Sequence, residues 1–442
     1  MVKNSLFSLI ERRKEGYAAG IPSYCTASAI VIEAVLEQSK RFGDKVLIEA
    51  TSNQVNQFGG YTGMLPEDYR DFVYGIADRI GFPHQDIILA GDHLGPQPFQ
   101  NQDEATAMEN SKTMVYMYAR AGYTKIHLDT SMRVADDDRN APLSDFTIAT
   151  RGAILMKEAE RGYQDLLKEN PAAIHPVFII GSEVPIPGGA QVKEEMQVTK
   201  SEDFENTLKA YKEVFEKHGI DNLWKYVIAV VVQPGVEFGD ADVHMYNRAE
   251  ALNLTSSLKN HPNVVFEGHS TDYQSPRALK EMVEDGIAIL KVGPALTFAA
   301  REAIYALSHI EDELIDCPEK RSNVRQVIED VMLENPKNWA KYYKGTDKEI
   351  ALKRSYSYSD RSRYYMVDQR IEAAQEKLYE NLRSVDIPMG LLHQYMPMQY
   401  VKVRDGKLKM DPRELVKYAV TIICDDYNYA TKHNFVAGSV FI

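Results

Sequence analysis

Cysteine is scarce in this chain. Three residues in 442 carry a thiol, Cys25, Cys317 and Cys424. They are scattered and odd in number, and no Cys-x-x-Cys pair occurs, which argues against a disulfide framework or a cysteine-rich zinc site. Reduced thiols in a cytoplasmic protein are the simplest expectation. Long hydrophobic runs are missing too. The strongest, Val227 to Val232, is far too short to span a bilayer. The stretch Met1 to Gly16 is charged and amphipathic, with no apolar signal core. Positive charge is in deficit, since 51 Lys and Arg against 64 Asp and Glu leave a net charge of −13 at pH 7. That argues against a nucleic-acid groove or an anionic membrane surface, although a small basic pocket fits within an acidic protein. No Gly-x-Gly-x-x-Gly follows the first strand candidate, and no Walker loop occurs.

What is present is an ordinary globular composition, 44% hydrophobic and 26% charged. From about Ile21 to Gly293 one grammar repeats: a short apolar run, a polar loop, then an amphipathic helix ending at Gly. The strand candidates begin with Ile21 to Cys25, Lys45 to Ile48, Ile87 to Ala90 and Thr124 to Asp129. Val177 to Ile180, Val227 to Val232, Asn263 to Phe266 and Ile287 to Leu290 complete the set. Helix signals fall between them. Pro66 opens one helix that stops near Gly81, Thr199 and Glu202 form a capping box, and Ser275-Pro276 starts another helix. Eight alternating units give the count of a TIM (β/α)8 barrel. A doubly wound sheet is the main alternative, but it usually carries its glycine-rich loop early. From about Ile310 the grammar gives way to helical pattern rich in Tyr, Lys, Asp and Glu. The expected division is a barrel over 1–310 and a helical extension over 311–442, packed on the barrel without a linker.

In such a barrel the C-terminal strand ends form the active site. Unusual polar residues collect there: Glu49 and Asn53 after the second strand, Asp92-His93 after the third, His127 and Asp129 after the fourth. Glu183 follows the fifth, Gln233 the sixth, Glu267 to Ser270 the seventh and Lys291 to Pro294 the eighth. Loops at the opposite end are ordinary turns. Each residue alone has a bland reading, because Glu49 could pair with Lys291 purely to stabilise the mouth and Asp129 could cap a helix. Together they would bury many charges, which costs stability unless a metal or ligand compensates. His93, Gln233, Glu267 and His269 are the candidate ligands, and Glu183 also has suitable chemistry. The donor types suit Zn²⁺, Mn²⁺ or Co²⁺. Ser270, Thr271 and Gly293 could bind phosphate, and tight barrel turns explain them about as well. Arg361 and Arg363, within the run Arg354 to Tyr365, could clamp a phosphate, or could belong to a solvated helix start.

These motifs also carry a family resemblance. The runs Glu49 to Gly63, Gly91 to Pro96, Lys125 to Asp129, Gln233 to Phe238, Gly268 to Gln274, Leu290 to Phe298 and Tyr356 to Tyr365 resemble the Z-type subunit of tagatose-1,6-bisphosphate aldolase. The similarity runs over nearly the whole chain. It implies a TIM barrel related to class II aldolases, acting in galactitol, tagatose or amino-sugar catabolism. Two roles come with it. One is a metal-dependent 4-epimerase of D-tagatose 6-phosphate and D-fructose 6-phosphate. The other is a non-catalytic partner of a class II aldolase subunit. Set beside catalytic class II aldolases, Asp92 takes the place of the proton-transfer Asp and His93 that of a metal ligand. Gln233 falls where a second His ligand is expected, a departure from ordinary aldolase chemistry. The resemblance implies Asp92, Asp129 and Glu183 as proton carriers. It also implies a divalent cation, with Zn²⁺ first, and Glu49, Asn53, Lys291 and the phosphate candidates as contacts to a phosphorylated ketohexose. The expected partners are that sugar and a class II aldolase subunit, with a homo-oligomer left open and neither nucleic acid nor membrane.

Overall fold

The computed structural model describes residues 3–181 and 197–432. Eight parallel strands close into a barrel: β1 Ile21–Cys25, β2 Val46–Thr51, β3 Ile87–Leu94, β4 Lys125–Leu128, β5 Val177–Ile180, β6 Val227–Val232, β7 Val265–Gly268 and β8 Ile287–Val292. Each pairs with its sequence neighbours, and β1 pairs with β8 to complete the ring. Helices such as Ala29–Phe42, Pro66–Ile80, Glu104–Arg120 and Asp145–Glu169 cover the outside. The boundaries follow local chemistry. Helix Pro66–Ile80 starts on Pro66 and ends at Gly81, whose φ of 66° is left-handed. The Asp103, Ser144 and Ser275 side chains accept backbone N–H bonds at the starts of their helices. The expected capping box at Thr199 does not form. Helix Ser201–Lys217 begins after Lys200, and Thr199 Oγ1 instead accepts the Gln233 N–H at 2.8 Å, tying that helix start to the end of β6.

Two apolar cores result. The inner one lies within the barrel, from alternate strand residues such as Leu47, Ala90, Ile179, Val231 and Ile289. Leu6, Leu9 and Ile10, at and beside the N-terminal helix Phe7–Lys14, close its lower end. The outer core fills the space between strands and helices, and it continues into the C-terminal segment. Helix Pro294–Leu314 runs across the expected boundary at 310. The last helix, Pro412–Lys432, packs against it and against Ala29–Phe42 and Pro276–Glu284.

β3 departs from expectation in an informative way. It does not stop at Ala90 but continues to Leu94, so Asp92 and His93 lie within it. Neighbouring residues on a regular strand face opposite sides. Here the pairing with β4 shifts between Gly91 and Leu94, and His93 has φ 49°. That bulge lets both side chains line the same cavity. Gly95 follows, and a Cβ there would stand 1.7 Å from the Asp129 carbonyl oxygen. Only glycine lets the end of β3 approach β4 this closely. Gly95→Ala is expected to lower stability by about 3 kcal/mol, read as a lower urea midpoint with an unchanged slope.

Candidate metal centre and active site

Residues of alternating register deliver charge to the inside of the barrel near its C-terminal end. Lys125 and His127 come from β4, Glu49 from β2, Glu267 from β7 and Lys291 from β8, all buried. Lys125 Nζ donates to Glu49 Oε2 at 2.5 Å and lies 2.9 Å from Glu267 Oε2. Lys291 Nζ lies 2.5 Å from Glu49 Oε1 and pairs with Asp92 Oδ1. Burial alone would push both ammonium groups down, but the surrounding carboxylates lift them above the usual lysine range. Glu49, Asp92 and Glu267 are three buried carboxylates facing two buried ammonium groups, and Asp129 is a fourth buried carboxylate, against His93. The carboxylates outnumber the ammonium groups, so a bound cation would be offset by buried negative charge.

Three imidazoles stand over this lattice. The ring centroids of His93, His127 and His269 lie 5.0 to 5.2 Å apart. Each ring has one nitrogen against a carboxylate: His93 Nδ1 is 2.8 Å from Asp129 Oδ2, His127 Nδ1 is 2.6 Å from Asp92 Oδ1, and His269 Nε2 is 3.0 Å from Glu267 Oε1. A carboxylate that takes an imidazole N–H leaves the other nitrogen its lone pair, the arrangement that orients metal-binding histidines; His93 differs, since its Nε2 also lies 3.5 Å from Asp92 Oδ2. His127 Nδ1 also lies 3.2 Å from the His93 backbone N, and its Nε2 is buried with no hydrogen-bond partner among the described residues. Burial, reinforced by Lys291, pushes His269 down to about 3, so it is neutral at pH 7 and able to coordinate. Burial also lowers His93, but Asp92 and Asp129 outweigh it and hold that ring above its ordinary value. A cation bound there would take over the charge that this proton carries. Burial would raise Asp92, yet His93, Lys291 and His127 hold it well below the usual carboxylate range. Asp92, His127, Glu267 and His269 form a group able to hold a cation.

The mouth cavity lies above, lined by Asp92, His93, His269 and Lys291 on its lower side. Asn53, Ser270, Gly293 and Arg363 also line it. Arg363 comes from the C-terminal extension. The segment carrying it is fastened across the mouth: Tyr358 N–H donates to Asp240 O at 2.9 Å, Tyr273 Oη to Tyr358 O at 2.6 Å, and Thr297 Oγ1 to Asp360 Oδ2 at 2.6 Å. Tyr364 meets Tyr61 of the β2 loop edge-on at 4.8 Å. Five non-glycine residues among those described have left-handed φ, and four of them, His93, Ser270, Tyr273 and Asp360, serve the mouth or this strap. Strain of this kind collects at functional sites.

A family model described as D-tagatose-1,6-bisphosphate aldolase subunit GatZ/KbaZ-like matches residues 6–432. The chain belongs to this family. The GatZ aldolase subunit of Salmonella newport is 47% identical over 409 residues, covering 92% of this chain and 95% of its own. That of Escherichia coli O6:K15:H31 is 47% identical over 423 residues, covering 96% and 99%. The crystal structure of a probable tagatose 6 phosphate kinase from Sinorhizobium meliloti 1021 shares 44% identity at a TM-score of 0.84, covering 93% of this chain and all of that one.

The GatZ/KbaZ-like chain sorts its sequence candidates into three groups. Asp92, His93, His269, Asn53, Ser270, Lys291, Gly293 and Arg363 line the cavity, while Glu49 and Glu267 lie in the charge lattice beneath it. Others are placed elsewhere. Gln233 Oε1 accepts the Gly235 and Val236 N–H groups at 2.9 Å and holds a turn. Asp129 sits behind His93, also bonded to Ser131, and positions the ring. Thr271 Oγ1 is taken by Lys291 O and Tyr427 Oη. The Gly293 N–H, expected for phosphate, goes to Asp272 Oδ1 at 3.0 Å together with that of Ala295 at 2.8 Å. Arg361 faces Asn338 O and the Tyr342 ring. Glu183 lies outside the described residues.

Sequence reasoning missed Lys125 and Asp272 as site residues, and it placed His127 at the mouth without giving it a role. The signal for Lys125 and His127 was their two-residue spacing on β4, which places both inside the barrel. Lys125→Met is expected to leave Glu49 and Glu267 short of a partner and to lower stability by about 3–5 kcal/mol in urea unfolding. Asp129→Asn is expected to keep the fold, checked by circular dichroism, while calorimetric titration shows Zn²⁺ affinity reduced about 10–100-fold.

Proposed function

We propose that the chain is a metal-dependent sugar-phosphate epimerase that interconverts D-tagatose 6-phosphate and D-fructose 6-phosphate by reversible cleavage of the C3–C4 bond. The observation that carries the reading is the set of three carboxylate-backed imidazoles beside Asp92 in one cavity. His93, His127 and His269 would hold the divalent cation, Zn²⁺ first, with Mn²⁺ or Co²⁺ as alternatives. When bound, it supplies Lewis-acid polarisation of the C2 carbonyl.

The C4 hydrogen is not adjacent to the C2 carbonyl, so α-proton abstraction cannot invert C4. No dinucleotide fingerprint supports oxidation at that carbon. Cleavage and re-addition remain. Asp92 Oδ1 is engaged by His127 and Lys291, and Oδ2 lies 3.5 Å from His93 Nε2. Oδ2 accepts the C4 hydroxyl proton as the C3–C4 bond breaks. C4 becomes an aldehyde, and the bonding pair passes to C3 and the C2 oxygen as an enediolate. The Lys291 ammonium opposes the negative charge that develops. The aldehyde turns, C3 attacks its other face, and Asp92 returns the proton to the new C4 oxygen. Arg363 takes the phosphate, assisted by Asn53 and Ser270, because Asp272 already fills the helix start at Gly293.

A second reading is favoured by the names of the relatives, which describe them as aldolase subunits. In it the chain stabilises or activates a class II tagatose-1,6-bisphosphate aldolase without turning over substrate itself. One experiment separates the two. Purified, metal-loaded protein alone is incubated with D-fructose 6-phosphate, and tagatose 6-phosphate is measured. Product is expected, with Asp92→Asn lowering kcat about 10²–10⁴-fold and chelation abolishing turnover. No product from metal-loaded protein, together with equal activation of a partner aldolase by wild type and Asp92→Asn, would establish the second reading. Arg363→Met is expected to raise KM for the 6-phosphate by about tenfold or more, the effect of losing a charged hydrogen bond.

A further inference from the structure

A second, larger cavity of about 460 Å³ lies between the barrel and the C-terminal extension. Helix Pro294–Leu314 and the β1 loop form parts of its wall, and helix Gln369–Arg383 forms another. It adjoins the mouth, since Cys25, Gln54, Tyr61 and Arg363 line both. Its middle is apolar, with Ile30, Phe72, Ile304 and Met366. Its volume is in the range of small-molecule sites, and an apolar body there would displace water from apolar side chains.

The charge on the wall selects the ligand. Arg301 is buried, its Nε donates to Asp360 Oδ1 at 3.0 Å, and its guanidinium stacks over Phe298 at 4.3 Å. Nη2 of the same side chain has no partner among the described residues. Asp360 is already shared, because Thr297 and Ser362 donate to it as well. Among the described residues, Arg363 donates only to the Ser359 and Asp360 carbonyls and the Tyr364 hydroxyl. Arg413, a third arginine on the wall, is paired with Glu33, which leaves Arg301 and Arg363 beside the one buried carboxylate, Asp360. The acids on the facing helix, Glu372 and Glu376, are exposed to solvent. Tyr379, on the same wall, also carries a buried hydroxyl without a partner.

We propose that this cavity is a second ligand site, which takes a small organic monocarboxylate with an apolar body. The carboxylate answers the surplus guanidinium charge at Arg301 and Arg363, and the body fills the space between Ile30, Phe72 and Ile304. Because Arg363 is in both walls, occupancy draws its charge away from the mouth and weakens binding of a sugar phosphate there. The coupling rests on the proposed function, whereas binding does not.

Binding is tested on the full chain by thermal unfolding with phenylacetate, and with neutral phenylacetamide as control. Phenylacetate is expected to raise Tm and phenylacetamide to leave it unchanged. The shift should vanish in Ile30→Trp, which fills the cavity, and in Arg301→Gln, and it should persist in His269→Ala, whose change lies in the mouth. Ile30→Trp keeps the test open if Arg301→Gln fails to fold. No shift in wild type, an equal shift with the amide, a shift surviving in Ile30→Trp, or its loss in His269→Ala would each overturn the site. Turnover of D-fructose 6-phosphate, where present, should show a KM that rises with phenylacetate to a plateau while kcat stays constant. Unlimited competition would place the probe in the mouth instead.

Discussion

The rest of the structure depends on the burial of more negative than positive charge at one end of a hydrophobic barrel. Glu49 and Glu267 bracket Lys125, and Lys291 reaches Glu49 and Asp92 across the same floor. A lattice like this adds little net stability compared with well-packed hydrophobic residues, and breaking one member is expensive. Its value is positional. Each ion pair restricts the orientation of the carboxylates, and the carboxylates in turn decide which nitrogen of each imidazole carries a proton. The apolar layers below, sealed by Leu6, Leu9 and Ile10, keep water from relaxing the arrangement.

Much of this was legible in the sequence. The alternation of apolar runs and capped helices gave eight strands at nearly their observed positions, because buried parallel strands leave a strong compositional mark. The convergence of Asp92, His93, His269 and Lys291 followed from the barrel alone, since strand ends have nowhere else to point. Side-chain partners were less legible. Gln233 looked like a ligand, but its amide found two backbone N–H groups within its own turn. Asp129 looked like a proton carrier and instead holds His93. The anion site was obscured by Asp272, since nothing in the order of residues says that a carboxylate will fold onto the start of the next helix. His127 was visible at its strand end, but its importance lies in an unpaired nitrogen that only the packing reveals.

The C-terminal extension is more than an outer layer. Its segment from Tyr356 to Tyr365 is bonded to loops after β6 and β7 and to the helix after β8, and its aromatic ring touches the loop after β2. The loops after β6, β7 and β8 also touch one another, through Phe238 and Tyr273 and through Asp272 and Gly293. The strap adds further ties across the mouth, and an Arg held by carbonyl groups keeps its charge.

Asp272 has one more consequence. It occupies the N–H groups at Gly293 and Ala295 from within, so this helix start does not offer those donors to an anion in the mouth. On the proposed reading, the charged floor carries the chemistry, and Arg363 of the extension shares the hold on the substrate with Asn53 and Ser270 of the barrel loops. The strap could be rebuilt for a different sugar tail without disturbing a single residue of the charged floor, which makes this architecture a modular one.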